Sequence, residues 1–215
     1  TKFSLQLLTI PREELNSVKM KNFLKTLLLC LIVVSCTASK KESSNILRLP
    51  MPDDAKGADP VQINDAISIE FVSHVFQGLF QYGYGESETE LVPTLAESMP
   101  EVSKDLRTYT FKIRENARFS DDPAFAEGKG RAVKSSDFAY ALKRVADPSF
   151  GGANWWTVDG VIEGLNEWHD KAVAAKNPDD RKALYNDAIS GIQTPNEKTL
   201  ILKLKKPYPQ LLYVL

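Results

Sequence analysis

Residues 107–150 read RTYTFKIRENARFSDDPAFAEGKGRAVKSSDFAYALKRVADPSF, and this stretch decides the fold. From residue 108 to residue 114, polar and apolar side chains alternate, with Tyr109, Phe111 and Ile113 on one face. A period of two residues is typical of a β-strand with one buried face, because successive strand side chains point to opposite sides of the sheet. The sequence therefore predicts a half-buried strand at this position.

A helix is predicted after the polar loop of residues 120–131. Ser135 or Ser136 is expected to cap it, because a serine hydroxyl can accept a hydrogen bond from the free backbone N–H groups of a first turn. Apolar residues recur at helical spacing: Phe138, Leu142 and Val145. Asp147-Pro148 is expected to end the helix, since a residue that precedes proline is driven out of the α conformation.

The sequence predicts further helices and two further strands, of which the first is the short apolar run of residues 46–49. A helix over residues 67–80 is expected to bury a wide apolar stripe: Phe71, Val72, Val75, Phe76 and Leu79. Residues 161–176 predict an amphipathic helix in which His169 lies at the surface and the apolar face is formed by Val161, Leu165, Trp168 and Ala172. Asn177-Pro178 predicts the start of the next helix, which is expected to carry four residues inward: Ala183, Leu184, Ala188 and Ile189. Residues 199–205 alternate again and predict a strand with a buried leucine face.

The order of these elements resembles a known family. The strand, short loop and helix of residues 109–148 are similar to the core signature of the family 5 extracellular solute-binding proteins, which are the oligopeptide- and dipeptide-binding subunits of ABC importers. Further segments resemble the same family: Asp59-Pro60 to Leu79, Val92 to Ser98, and the Pro207-Tyr208-Pro209 segment. Met99 departs from the pattern, since the family usually has tryptophan there.

The resemblance implies a mixed α/β fold of the periplasmic-binding-protein type, in which two lobes are joined by a hinge and a small α+β domain is inserted. We divide the chain into an upstream extension (1–19), a lipoprotein signal peptide (20–35), a tether (36–45), the first part of lobe I (46–76), the inserted small domain (77–194) and a return to lobe I (195–215). Since the sequence stops within the apolar run LLYVL, we expect it to be truncated at its C-terminus.

Residues 20–36 carry the targeting information. Lys21 and Lys25 precede an apolar run at 27–34, which is shorter than the roughly 20 residues that a helix needs to cross a bilayer. The run ends in Val33-Val34-Ser35-Cys36, which resembles a lipobox and implies acylation of Cys36. We therefore predict an exported protein, lipid-anchored to the cell membrane and facing the periplasm or the cell exterior. An ordinary secretory signal with a chance cysteine, or a retained membrane anchor, would also fit this pattern.

The composition, and the lack of known catalytic motifs in the sequence, argue against several function classes. The net charge of −1 offers no basic field for nucleic acid. The sequence contains no G-x-S-x-G, H-E-x-x-H, C-x-x-C or phosphate-loop motif, so we predict no enzyme and no cofactor. Asp121, Asp122 and Glu127 crowd one loop, but their spacing differs from that of an EF-hand, so no metal site is predicted.

The resemblance also implies candidate ligand-binding residues. Asn64, Asp65 and Ala66 would form a strand edge that meets the backbone of the ligand. Trp155 and Trp156 fall where relatives place an aromatic side chain near the cleft. Adjacent tryptophans of a regular strand cannot both point inward, so one is expected to face a cleft or a partner. Alternatively, one fills the core and the other covers a loop.

The predicted function is capture of peptides, or of a similar small solute, by a substrate-binding lipoprotein of an ABC transporter. The implied partners are the permease and ATPase subunits of the importer. The identity of the ligand stays open, because the family's members carry peptides, nickel complexes, haem and sugars. Two other classes are a lipid-anchored receptor that senses peptides or solutes without transport, and a secreted hydrolase.

Overall fold

A computed structural model describes residues 49–85 and 89–215. The chain divides into two compact units, of which the second is Met51–Leu215. The predicted extension, signal peptide, tether and Cys36, and residues 46–48 of the first predicted strand, lie outside the described residues. None of the helices in the described ranges is long and apolar enough to cross a membrane.

The described elements are short strands and helices. The helices are α1 (Ala66–Ser73), α2 (Ser135–Ala146), α3 (Leu165–Ala174), α4 (Pro178–Leu184) and α5 (Leu211–Val214). The strands are β1 (Phe80–Tyr82), β2 (Leu91–Pro93), β3 (Glu101–Val102), β4 (Thr108–Lys112), β5 (Ile192–Asn196) and β6 (Thr199–Lys203).

An antiparallel four-stranded sheet in the order β3-β4-β6-β5 forms the centre of this unit. The sheet pairs Tyr109 with Leu202 and Phe111 with Leu200, so the buried faces of β4 and β6 coincide. Phe111, Leu200 and Leu202 are completely buried. The alternation in the two sequences had predicted these faces, and the structure confirms them.

The β5–β6 hairpin crosses the predicted limit between residues 194 and 195. In the hairpin Ile192 pairs with Leu202, and β6 also pairs along its whole length with β4. The strand that we expected to return to lobe I thus lies in the same sheet as β4, which we assigned to the inserted domain. The division of the protein into lobes stays a prediction.

Helix α2 forms where predicted, but its cap is different. The N-cap residue is Lys134, and its backbone N–H donates to the side chain of Asp137 at 2.8 Å. Ser135 is the first helical residue, is buried, and donates its hydroxyl hydrogen to the carbonyl of Asn196 at 2.6 Å. The prediction of a serine cap was wrong because Ser135 binds the neighbouring hairpin instead. The helix ends at Ala146, directly before Asp147, as expected.

Helix α1 is shorter and less buried than predicted. It ends at Ser73, so only part of the expected stripe lies on it. Phe71, Val75 and Phe76 are exposed, whereas Leu79 is buried beyond the helix. The helix cannot continue to residue 80 because the backbone of Leu79 pairs with other segments: its carbonyl accepts the N–H groups at positions 94 and 96.

The predicted helix pair is present as α3 and α4. The buried face of α3 and of the residues before it is the one expected from sequence: Val161, Leu165, Trp168 and Ala172. Asn177 caps α4 by accepting the N–H of Asp180 at 2.8 Å. Ile189, which was predicted to point inward, is buried. Ala183 and Ala188 were predicted to point inward too, but both are exposed: Ala183 lies within α4, and Ala188 lies beyond the end of that helix at Leu184.

Candidate functional site

The Asp59-Pro60 turn is anchored to helix α2. One carboxylate oxygen of Asp59 accepts the N–H of Val61 at 3.2 Å, and the other accepts a hydrogen bond from Nη2 of Arg144 at 2.5 Å. The guanidinium of Arg144 also lies 4.4 Å from the ring centre of Phe150. These contacts give the Asp-Pro pair, which resembled the family in sequence, a structural role: it fixes the start of the loop that leads into α1.

Asn64, Asp65 and Ala66 lie at the start of α1. Asp65 has extended backbone angles (φ −102°, ψ 148°) and is the N-cap residue, and its side chain accepts the N–H of Ser68 at 2.9 Å. This backbone hydrogen bond is the largest cause that lowers the pKa of Asp65. Asn64 and Ala66 are exposed. The structure therefore corrects the expected geometry: these residues form a helix N-terminus and not a strand edge.

Trp155 and Trp156 lie in a single turn of 3₁₀ helix, Trp155–Thr157. Trp156 is 74% exposed, whereas Trp155 is half-buried and stacks on the ring of His169 with 4.4 Å between centroids. One of the two tryptophans thus points outward, although both lie in a helical turn and not in the regular strand that we expected. That Trp156 faces a cleft or a partner stays a prediction. His169 is not a free surface residue as we expected, because it is half-buried and its Nδ1 lies 2.6 Å from the carbonyl oxygen of Ala146.

Asn154 connects the two candidate segments. Its side-chain nitrogen donates to the carbonyl oxygens of Pro60 and Ile63 at 3.0 and 3.3 Å. The structure thereby brings the loop before Asn64 next to the turn that contains Trp156. Sequence reasoning missed Asn154, because no local pattern marks a side chain whose partners lie more than 90 residues away.

An open, mainly apolar groove lies beside this connection. It has a volume of about 470 Å³ and is lined by side chains from the loop, α1 and α2, among them Ile63, Ile69, Val72, Phe138 and Asn154. Such a groove can accept an apolar group by burying its surface. Within residues 49–85 and 89–215, no three His, Cys, Asp or Glu side chains lie close enough together to hold a metal ion.

Comparison with known proteins decides the family. Residues 90–215 match the family model of the bacterial extracellular solute-binding proteins, family 5 Middle. The chain belongs to this family. The match begins just before β2 and includes the four-stranded sheet, α2 and the Trp155–Thr157 turn.

Curated relatives of this family 5 chain carry names that refer to peptides. The dipeptide-binding protein of Lactococcus lactis is 28% identical over 137 residues, which are 64% of this chain and 22% of the relative. The dipeptide-binding protein DppE of Bacillus subtilis is 31% identical over 54% of this chain and 19% of the relative. The periplasmic murein peptide-binding protein MppA of Escherichia coli is 26% identical over 73% of this chain.

Solved structures of peptide-binding proteins share the fold of this family 5 chain. The pheromone receptor PrgZ matches with a TM-score of 0.55 and 27% identity, over 73% of this chain and 26% of that structure. The murein tripeptide binding protein MppA of Escherichia coli matches with a TM-score of 0.55 and 25% identity, over 74% and 26%. The fold is therefore mixed α/β, of the periplasmic peptide-binding type. The chain spans about a fifth to a quarter of the length of these relatives.

Proposed function

We propose that this chain forms one wall of the peptide-binding site in the substrate-binding subunit of an ABC importer. Family membership over residues 90–215, with relatives named for dipeptides, murein peptides and glutathione, is the observation that carries this proposal. Proteins of this kind bind a solute without changing it, which agrees with a site built from backbone groups and aromatic side chains.

The contact chemistry is that of peptide backbone recognition. The first N–H groups of a helix have no partner within the helix, so the N–H of Ala66 is free to donate to a carbonyl or carboxylate oxygen of a peptide. The exposed ring of Trp156 offers a flat apolar surface to a ligand side chain. Backbone donors bind every peptide alike, so this arrangement favours peptides of varied sequence over one defined side chain.

Location and partners complete the proposal. Acylation of Cys36 would hold the protein at the outer face of the cell membrane, where the permease and ATPase subunits of the importer would receive the bound peptide. Stable anchoring needs two hydrophobic attachments, which a diacylated cysteine supplies. Mass spectrometry of the mature protein would detect the lipid on Cys36, and an unmodified cysteine would contradict the anchor.

Peptide sensing without transport is the second candidate, and the similarity to a pheromone receptor favours it. Both candidates capture peptides, and they differ in whether the bound peptide is then carried into the cell. Adjacent genes for a permease and an ATPase would support import. Uptake of labelled peptide that is unchanged after deletion of the gene would support sensing.

Peptide binding is tested by calorimetry on the longest reading frame that contains residues 1–215. Di-, tri- and pentaalanine are the probes, and Ala66→Pro is the variant. Proline is well accepted at the first position of a helix, and the extended backbone of Asp65 suits a following proline, so the variant removes one N–H with little change in fold. We expect the affinity to fall about tenfold, the loss typical of one peptide hydrogen bond to a buried partner.

Ala66→Ser is the matched control, because it keeps the backbone N–H at the same position. Trp156→Ala tests the second contact and should also weaken binding. A wild-type protein that binds none of the peptides would contradict peptide capture. Equal affinities for Ala66→Pro and Ala66→Ser would remove the start of α1 from the site.

A further inference from the structure

Asn154 lies where two segments that are remote in sequence meet. Its side-chain nitrogen is within hydrogen-bond distance of two carbonyl oxygens, those of Pro60 and Ile63. Both partners are acceptors only, so the side chain must present its NH₂ group, which carries two donor hydrogens. A carboxylate of the same shape has no donor and cannot make either bond.

The loop of residues 59–66 has a second attachment to the same region. Arg144 binds the carboxylate of Asp59 and packs over the ring of Phe150. The side chains of this ion pair are 23% and 30% exposed, so water screens them less than a pair at the open surface. Arg144 thus holds the beginning of the loop, and Asn154 holds its middle.

We infer that Asn154 is a positioning residue for peptide binding. The inference rests on the proposed function, in which Ala66 and Trp156 contact the ligand. The side chain of Asn154 fixes the loop that leads to Ala66. The backbone carbonyl oxygen of Asn154 accepts hydrogen bonds from the N–H and the hydroxyl of Thr157, at 3.1 and 2.8 Å. These bonds hold the turn that contains Trp156.

One residue therefore sets the spacing between a backbone donor and an aromatic surface. A peptide that touches both segments binds more tightly when they are already held at the correct distance, because ordering a loop during binding costs free energy. The same peptide would have to organise the loop itself if the side chain of Asn154 released it.

The test compares Asn154→Asp with Asn186→Asp. The first variant keeps the size and shape of the side chain but removes both donors. The second makes the same change at an exposed asparagine in the turn after α4. Hydrogen exchange is followed at the amides of Val61 and Gln62, which are bonded within the loop to Asp59.

We expect these two amides to exchange about tenfold faster in Asn154→Asp, because two hydrogen bonds that hold the loop closed are lost. Affinity for trialanine in the longest reading frame should fall by a similar factor, about tenfold. Asn186→Asp should change neither quantity. Asn154→Ser keeps one donor and should give an intermediate effect, which keeps the test available if Asn154→Asp does not fold.

Two results would overturn the inference. Unchanged exchange at Val61 and Gln62 would mean that Asn154 does not hold the loop, whatever happens to peptide affinity. Faster exchange with undiminished affinity would mean that the held loop does not serve binding. A wild-type protein that binds no peptide would refute the proposed function instead, and the exchange data would still decide whether Asn154 fixes the loop.

Discussion

Asp147 is a nearly completely buried carboxylate, 3% exposed, at the junction between α2 and the turn after it. It accepts hydrogen bonds from the N–H and the hydroxyl of Ser149, at 2.9 and 2.7 Å, and from the hydroxyl of Tyr185 at 2.9 Å. Burial, followed by the hydrogen bond to this carboxylate, raises the pKa of Tyr185. The cluster joins the end of α2 to the turn after α4.

Replacing Asp147 by alanine should lower the free energy of unfolding by about 2 kcal/mol. The substitution leaves the hydroxyl of the half-buried Tyr185 without its acceptor and removes the cap of the turn at Ser149, which is itself exposed. An unpaired buried group costs roughly 1–3 kcal/mol, and a lost cap costs about 1 kcal/mol. Urea denaturation measures the change. Asp170→Ala, at an exposed position of α3, is the control and should shift the free energy by less than about 0.5 kcal/mol. Equal effects of the two substitutions would show that the cluster does not stabilise the fold.

Residue roles divide into those that sequence could predict and those that it could not. Strand alternation alone predicts that Phe111 and Leu202 are buried, because it places each on the inward face of its strand. Asn154 and Ser135 act through carbonyl oxygens that are 61 or more residues away in the chain. Such bonds exist only once the tertiary structure brings the partners together, so no local pattern reveals them.

At the scale of elements, α2 shows which features of a helix can be predicted from sequence and which cannot. The helix and its end at Ala146 follow from apolar spacing and the Asp-Pro pair. Its start depends on Asp137, which accepts two hydrogen bonds from Arg131 and one from the N–H of Lys134. Burial alone would raise the pKa of Asp137, but the hydrogen bonds from Arg131 and Lys134 outweigh it, and the net pKa lies below its ordinary value.

This shift predicts a pH-dependent contribution of Asp137 to stability. A carboxyl group whose pKa is lower in the folded protein binds fewer protons there than in the unfolded chain. Its stabilisation is present above the unfolded pKa, near 4, and is lost as the pH falls through the folded value. Asp137→Asn should therefore reduce the free energy of unfolding by about 1 kcal/mol at pH 7 and by much less near pH 3.

The measurement is urea unfolding of wild type and Asp137→Asn at pH 7 and pH 3. Asp170→Asn, which removes an exposed charge from α3, should leave the difference between the two pH values unchanged. A difference between wild type and Asp137→Asn that is as large at pH 3 as at pH 7 would contradict the assignment, because the charge of Asp137 would then not be its source.

Helix α1 shows where periodicity fails. The apolar spacing of Val75 and Leu79 continues that of the helix, yet the helix stops at Ser73. The carbonyl of Leu79 instead accepts the N–H groups of residues 94 and 96. These bonds replace helical ones, because a buried backbone group needs a hydrogen-bond partner and a distant segment supplies it here. Gly78 disfavours a helix interior, but it stands beyond the observed end, so the local sequence does not mark where the helix stops.

For the whole molecule, the family resemblance predicted the mixed α/β fold, and the match of residues 90–215 bears it out. The resemblance could not predict how the candidate segments meet. Asn64 to Ala66 were expected to form a strand edge and lie instead at the start of α1, directly after the loop that Asn154 binds. That geometry depends on Arg144 and Asn154, whose bonds appear only in the folded chain.

The central sheet gives a prediction for the whole unit. Strand β6 lies between β4 and β5, and all five residues of β4 have a partner in β6. A chain of residues 51–194 would lack β6 and would leave the buried face of β4, with Tyr109 and Phe111, without its neighbour. We expect this chain to show no cooperative thermal transition, whereas residues 51–215 should unfold in one step.

Circular dichroism during heating distinguishes the two chains, and limited proteolysis gives an independent measurement. A chain of residues 51–206 is the matched control: it keeps β6 and removes only the last nine residues, including α5 (Leu211–Val214). It should retain the transition, since the sheet is complete without α5. If residues 51–194 unfolded as cooperatively as residues 51–206, the limit at 194/195 would be a true domain boundary, and β6 would be an addition to a sheet that folds without it.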